Sequence, residues 1–315
     1  MTEPSQDHTA GDVELATGDL VLIGGTGRSG THVLARLLGR HPRFAEVPIE
    51  ARFHCNKRGV PDLLGGRVTL ADFLEKLRDF WWHRVRVDGQ PRGLYNLLTR
   101  KQLDAAVEHF EVDYPSDPVP TCRQLFVDLL WPLAAEQGKP GLVEMSSHNV
   151  REAQTLRRLF AEARFVHAVR DGRDAASSVT TKTWGPDSIL KGIDWWADRL
   201  RAIEAGVRGT DDGATYALGP AELCVVVLDD LVRGDREGAY GGLLDFLGVD
   251  DDAAMGEFFE DQMRPAAAHM TRWREGLGRI ERRRVQRRYE AALAALEREK
   301  NHVARPLIDA YERLG

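Results

Sequence analysis

Residues Leu20-Val21-Leu22-Ile23 are apolar, Gly24-Gly25-Thr26-Gly27-Arg28-Ser29-Gly30-Thr31-His32 form a glycine-rich run, and Val33-Leu34-Ala35-Arg36-Leu37-Leu38 is amphipathic. Strand, tight turn and helix in that order commit the chain to βα units of an α/β fold. The glycines permit a turn tight enough to aim successive N–H groups at one anion. The helix that follows adds the positive end of its dipole. A nucleotide-hydrolysing loop reads G-x-x-x-x-G-K-[ST]. Gly25 and Gly30 keep that glycine spacing, but Thr31 follows directly and no lysine intervenes. The cation lies inside the turn, as Arg28. This spelling argues against a metal-bound triphosphate as the anion.

Three further apolar runs share the strand character: Gly141–Glu144, Arg164–Val169 and Leu223–Leu228. Such runs, bounded by polar turns, suit strands covered on both faces, as in a parallel sheet. Helical patterns lie near residues 30–40, 69–80, 99–110, 122–137, 150–161, 172–182, 189–208 and 239–247. The expected fold is α/β, a P-loop-type three-layer arrangement around a central, mostly parallel sheet. Residues 50–120 interrupt the alternation with helix-like segments, Trp81-Trp82 and a proline- and acid-rich stretch, Asp113 to Pro120, that reads as a loop. They are expected to form a helical insertion over the site, within one domain spanning 19–315. From Glu281 onward the pattern is a long C-terminal helix with Val285, Tyr289, Leu293 and Leu296 on one face, which Pro306 should kink or end.

Hydrophobic residues make up 43% and charged residues 29% of the 315, ample material for a core. A net charge of −6 argues against nucleic acid as a partner held by bulk attraction. Cys55, Cys122 and Cys224 are odd in number and lack metal-ligand spacing, so neither a disulfide framework nor a zinc site is expected. Residues 1–18 carry Glu3, Asp7, Asp12 and Glu14 and no Lys or Arg. They read as a disordered acidic tail rather than a secretory or transit signal. No run reaches the length of a membrane span. Together these features point to a cytoplasmic protein.

A second candidate anion site follows the run 164–169: Arg170-Asp171-Gly172-Arg173-Asp174-Ala175-Ala176-Ser177-Ser178. Arg170 leaves the carboxyl edge of the sheet, where doubly wound folds bind ligands. Asp171 suits the cap of the next helix, and Ser178 lies about two turns in. Arg170 and Ser178 can then meet one phosphate, with a charge-assisted fork and a hydroxyl. The plainer reading is a capped surface helix with a structural arginine.

Gly27-Arg28-Ser29-Gly30-Thr31, followed by Arg170 and Ser178, resembles the sulfotransferases that use PAPS (3′-phosphoadenosine 5′-phosphosulfate). The spelling Arg170-Asp171-Gly172-Arg173 is most similar to the protein-tyrosine sulfotransferases and their bacterial relatives. The resemblance implies that Gly27 to His32 hold the 5′-phosphosulfate and that Arg170 and Ser178 hold the 3′-phosphate, with PAP as product and no metal. Pro48-Ile49-Glu50-Ala51-Arg52-Phe53 resembles that subgroup's E-x-R segment, which implies Glu50 as catalytic base, with Arg52 beside it as a candidate substrate-binding residue. Val227–Leu231 and Leu243–Gly248 are similar to the family's last strand and the helix behind it. Thr271-Arg272-Trp273-Arg274 resembles its C-terminal basic segment, which makes Arg272 and Arg274 candidate phosphate ligands. The likeness runs over residues 19–278. It departs at Val143-Glu144-Met145-Ser146-Ser147-His148-Asn149, where relatives often read Glu-Lys-Thr-Pro-x-Asn. Met145 stands where that lysine would steady the bridging oxygen. The role then falls to Arg28, His32, Lys57 or Lys182, or to nothing.

Charge gathers on the leaving oxygen during sulfuryl transfer, so Arg28 and the N–H groups of Ser29 to His32 fit electrostatic stabilisation. Glu50 fits removal of the acceptor's proton; its plainer role is a loop glutamate paired with Arg52. His32 either starts its helix and bonds a carbonyl, or contacts the sulfuryl group or orients Glu50. His54 and His148 are weaker candidates, and His167 suits packing in its strand. Among Trp81, Trp82, Trp184, Trp195 and Trp196, Trp184 is the best contact for acceptor or adenine, with loop anchor as its plainer role. The helical pair Trp195-Trp196 should put at least one ring in the core. The arginines from Arg279 to Arg288 read as a solvated helix face. The expected acceptor is a small molecule, carbohydrate or lipid. The rival readings are a P-loop nucleotide kinase or hydrolase, with Asp229 imitating a metal-binding acid, and a catalytically silent nucleotide-binding protein.

Overall fold

A computed structural model of the chain describes residues 19–85, 89–209 and 217–314. The acidic tail expected over 1–18 lies outside them. Strand β1 (Leu20–Gly25) is buried along its whole length, as a strand covered on both faces must be. It leads through the glycine turn into helix α1 (Thr31–Leu38). Four more strands, β2 (Phe44–Glu46), β3 (Gly141–Glu144), β4 (Arg164–Val169) and β5 (Leu223–Val227), complete a five-stranded sheet in the order β2-β3-β1-β4-β5. Every pairing is parallel.

Helices α2 (Val60–Leu64), α3 (Leu70–Lys76), α4 (Arg100–Asp113), α5 (Pro118–Glu136) and α6 (Ala153–Leu159) precede β4. After it come α7 (Gly172–Thr180), α8 (Ile189–Arg208), α9 (Leu228–Val232), α10 (Arg236–Leu247), α11 (Ala253–Gln262), α12 (Arg279–Arg298) and α13 (Ala304–Leu314). The period-two alternation of β1 sorts them into layers. Leu20 and Leu22 pack with α2–α6 on one face. Val21 and Ile23 pack with α1, α9, α10 and α11 on the other. A third apolar cluster joins α7, α8, α12 and α13 to Val169 and Val227 at the β4–β5 end.

The four anticipated strands are present, except that Leu228 opens α9 instead of closing β5. The edge strand β2 and helices α2, α9 and α11 were not among the sequence expectations. The helix expected over 69–80 becomes α3 plus a π-helical turn, Leu77–Trp81. The proline-rich loop is shorter than expected, because Pro118 and Pro120 fall in the first turn of α5, where a missing N–H costs no helical bond. The C-terminal helix is long as α12, with Val285, Tyr289, Leu293 and Leu296 buried. It ends at Arg298, and Pro306 sits in the first turn of α13 rather than inside one continuous helix.

Register positions the site. Gly25 of β1 lies opposite Ala168 of β4, so the chain leaves both strands at the same level. On the other flank Leu22 lies opposite Glu144, and Glu46 of β2 opposite Val143. The segments after β1, β2, β3 and β4 therefore all emerge at one carboxyl edge. Among the described residues no helix is long and apolar enough to cross a membrane.

Candidate active site

The turn after β1 takes left-handed backbone at Gly27 (φ 83°), Arg28 (φ 63°) and Gly30 (φ 94°). Glycine adopts this freely; at Arg28 it costs energy, of order 1–3 kcal/mol for such non-glycine positions. A Cβ on Gly25 would come within 2.4 Å of Ser29 Oγ and 2.5 Å of the Ala168 carbonyl, so the turn and β4 close on each other only over a glycine. Ser29 and Thr31 are buried, and Ser29 Oγ has no hydrogen-bond partner among the described residues. Arg28 swings across the edge, and its Nε donates to Ser178 Oγ on α7 at 2.9 Å. That bond joins the two motifs across 150 residues of sequence.

Asp171 caps α7 by accepting from the Arg173 N–H at 2.8 Å. Arg170, 8% exposed, points its Nη2 at the carbonyls of Ala268 (2.7 Å) and His269 (3.0 Å), while its Nε has no hydrogen-bond partner among the described residues. Asp174 accepts from the N–H groups of Thr271 (2.7 Å) and Trp273 (3.1 Å). The segment 268–273 is thus laced to α7 through its backbone, not through the two arginines predicted as ligands. Arg272 is half exposed, 3.9 Å from Glu275, and Arg274 lies over the Trp273 ring at 5.3 Å. Asp229, in the first turn of α9 just past β5, is buried and accepts from the Asp171 N–H at 2.7 Å. Burial, then the neighbouring Asp171, pushes its carboxyl up to about 7. Among the described residues no group of three or more His, Cys, Asp or Glu is arranged to hold a metal ion.

Glu50 stands on the segment after β2. Its side chain is 14% exposed and accepts from Arg52 Nε at 2.9 Å, with Nη2 closer still. The neighbouring backbone is clasped from β3: the Ala51 N–H donates to Glu144 Oε1 (3.0 Å), and the Arg52 N–H to Ser146 Oγ (3.1 Å). Glu144 is fully buried and also accepts from the Ser146 N–H and hydroxyl and from Asn149 Nδ2, with His54 Nε2 at 3.1 Å. Burial alone would raise its pKa; His54 and the bonds from Ser146 and Asn149 outweigh this and hold it at about 2. Burial likewise opposes charge on His54, yet Cys55 and Glu144 beside it raise its pKa well above the histidine norm. His54 is therefore part of the clasp, not of the open site. Met145 packs in the apolar core with Val143 and Leu34, so this side chain turns away from the edge.

His32 is exposed to water, yet the protein around it lowers its pKa by desolvation. Glu50 opposes that shift, while Arg92 and Arg28 add to it, so all four charges share one neighbourhood. Arg84 is pushed down to about 10 by burial, then by Arg52, with Arg92 contributing and Glu50 opposing. Neither Arg84 nor Arg92 was singled out from sequence. On the far side, Trp184 is 61% exposed, its ring 6.1 Å from that of Trp195. Arg199 lies over Trp195 at 5.1 Å and reaches His148 Nε2 at 3.4 Å. Burial, then Arg151 and Arg199, pushes His148 down to about 4. Trp81 and Trp82 belong to the core beneath the insertion and Trp196 to the α8 core, so these three rings line no open pocket. His167 is buried in β4 and meets His302 Nε2 through its Nδ1 at 2.8 Å.

The model of the sulfotransferase family matches residues 20–253. A search of the curated proteins finds no match. Among solved structures, the chain is similar to the sulfotransferase domain of an olefin synthase from Synechococcus PCC 7002. Identity there is 21% over 86% of this chain and 93% of that one, with a TM-score of 0.50. It also matches the sulfotransferase domain of the curacin biosynthetic pathway, at 17% identity over 79% of this chain and 82% of that one (TM-score 0.46). A Mycobacterium tuberculosis sulfotransferase matches at 14% identity over 88% of this chain and 78% of that one (TM-score 0.43).

Proposed function

This chain belongs to the sulfotransferase family, and from that premise we propose that it moves a sulfuryl group from PAPS to a hydroxyl of a small-molecule, carbohydrate or lipid acceptor, by in-line displacement with Glu50 as base. The observation that carries the proposal is the Arg28–Ser178 hydrogen bond, which draws the glycine turn and the α7 motif into one cradle. Two buried polar atoms without partners among the described residues, Ser29 Oγ and Arg170 Nε, fit a ligand with an anion at each end. In this reading residues 19–315 act as one sulfotransferase unit in a reducing, cytoplasmic setting, a view supported by three free cysteines.

Gly27 to His32 hold the 5′ end through backbone N–H groups and the α1 dipole. Arg170 and Ser178 hold the 3′-phosphate, with Arg272 and Arg274 closing from the segment that Arg170 already touches. PAPS, when bound, supplies the sulfuryl group and carries away the leaving phosphate as PAP. Arg28 sets a fixed positive charge against that phosphate oxygen, in a crevice where little reorganisation is needed. Glu50 accepts the acceptor's proton on its carboxylate, steered by Arg52. His32, biased towards its neutral form, orients Glu50 and the incoming hydroxyl. Trp184 offers an exposed ring to the acceptor or the adenine. Met145, packed in the core, offers no cation to the leaving group, and in this reading Arg28 takes that role.

Calorimetric titration tests the donor half. PAP should bind without added metal, and ATP-magnesium should bind far more weakly. Arg28→Ala and Arg170→Ala should each weaken PAP binding by about tenfold or more, the scale of a lost charge-assisted phosphate contact. Normal PAP affinity in both variants would remove the site assignment. Transfer of labelled sulfate from PAPS to an acceptor panel tests the reaction, and a protein that binds PAP but sulfates nothing would favour a silent nucleotide-binding role.

A further inference from the structure

Arg84 and Arg92 stand side by side on a narrow stem. The Arg92 N–H donates to the Arg84 carbonyl at 2.8 Å, and Val85 and Pro91 form an antiparallel bridge just beyond. The stem is rooted in the core. Trp81 and Trp82 are buried at its base, and a Cβ on Gly93 would come within 1.9 Å of the Trp82 carbonyl. Both arginine side chains are half-buried, and among the described residues neither makes a hydrogen bond or an ion pair. Half-burying two guanidinium groups without a carboxylate at hydrogen-bond distance is costly, and most such groups are paired.

The charges around them do not balance. Arg84 lies within electrostatic reach of Arg52, Arg92 and Glu50, and His32 within reach of Arg92, Glu50 and Arg28. Glu50 is ion-paired with Arg52, and Glu144 is answered by His54. Arg28 is held on the donor side by Ser178. Arg84 and Arg92 are left without an ion pair among the described residues, with the proposed base within electrostatic reach of Arg84. A guanidinium fork matches an oxyanion, carboxylate or phosphate, through paired N–H bonds. We propose that Arg84 and Arg92 form an acceptor subsite for an oxyanion, so that the acceptor carries a carboxylate or phosphate close to the hydroxyl it presents to Glu50. This rests on the sulfotransferase reading for the role of Glu50; the subsite itself is a matter of binding.

The test compares para-hydroxybenzoate, para-hydroxyphenyl phosphate and the neutral para-hydroxybenzamide, titrated calorimetrically into the full chain with and without saturating PAP. At least one oxyanion probe should bind about tenfold or more tightly than the amide, and the preference should fall below about threefold in Arg84→Gln/Arg92→Gln. The stronger of the two probes identifies the group. Arg92→Gln alone gives the same comparison if the double variant does not fold. Equal affinity for acid and amide, no binding of either oxyanion, or a preference that survives the substitutions overturns the proposal. Failure of PAP to bind the unaltered protein sinks the donor reading instead, and the titrations without PAP still judge the subsite.

Discussion

Glu50 is held from two directions. Arg52 grips its carboxylate, and Glu144 and Ser146 grip the backbone of the next two residues. The first grip is chemical and the second positional, so substitutions should separate them. Glu50→Gln keeps the shape and removes the base. It should leave PAP affinity unchanged and lower kcat by about 10²–10⁴-fold, the range for a lost general base. Unchanged turnover would take Glu50 out of the mechanism. Glu144→Gln removes a buried charge that faces His54, and its amide brings donors to a place where four donors already converge. It should lower kcat without weakening PAP, and lower Tm as well. The sign of its pH dependence follows from the depressed pKa. Glu144 sits at about 2 in the fold and near 4.3 unfolded, so its ionised form adds stability above about 4.3, lost as pH falls through about 2. The Tm gap between the two proteins should therefore narrow on acidification, and a gap independent of pH would mean the clasp does not depend on charge.

The ends of β4 and β5 show the opposite sign. Asp229 ties the two strand ends together by accepting from the Asp171 N–H, and its carboxyl is pushed up to about 7. An acid whose pKa is raised by folding favours the fold while protonated, and that contribution is lost as pH rises from about 4 through about 7. Asp229→Asn keeps an acceptor oxygen for Asp171 and never ionises. Relative to the unaltered protein it should gain Tm between about pH 5 and pH 8; a constant difference would show that Asp229 is already ionised at the lower pH. These elements also mark how far sequence reasoning reaches. β1, β3, β4 and β5 were legible because a strand covered on both faces is apolar at nearly every position, with Glu144, Arg164 and His167 the polar exceptions. β2 was not, since Phe44-Ala45-Glu46 is too short to carry a period and exists only through its pairing with β3. The start of α5 was misread because prolines signal loops in general yet are tolerated in a helix's first turn. The glycine turn and the Arg170–Ser178 motif were visible as local spelling. Arg84 and Arg92 were not, because only the stem and the fold of the insertion bring them to Glu50 and His32.

Across the whole molecule, the buried guanidinium of Arg170 hydrogen-bonds the proposed donor site to the C-terminal segment, and Arg173 beside it packs over the Trp273 ring. Arg170 does so through two carbonyls, with Asp174 holding two N–H groups of the same segment. Beyond that segment α12 packs on α7 and α8 around Trp196 and Tyr289, and α13 packs on α12 and β5, so the chain from residue 268 onward is anchored at both ends. Arg170 Nη2 serves the segment, and its Nε has no hydrogen-bond partner among the described residues. A phosphate meeting Nε would fix the guanidinium plane without displacing the carbonyls, so donor binding should tighten the segment instead of releasing it. Hydrogen exchange at Thr271 and Trp273 reads this directly, because their amides bond Asp174. PAP should slow exchange at both by about tenfold or more at saturation, through the ligand's stabilisation of the bound form. In Arg170→Ala, at PAP concentrations high enough to compensate for weaker binding, that added protection should vanish while the central strands stay protected. Faster exchange on adding PAP would mean that the phosphate and the carbonyls compete for Arg170, and that the segment must leave before the donor can bind.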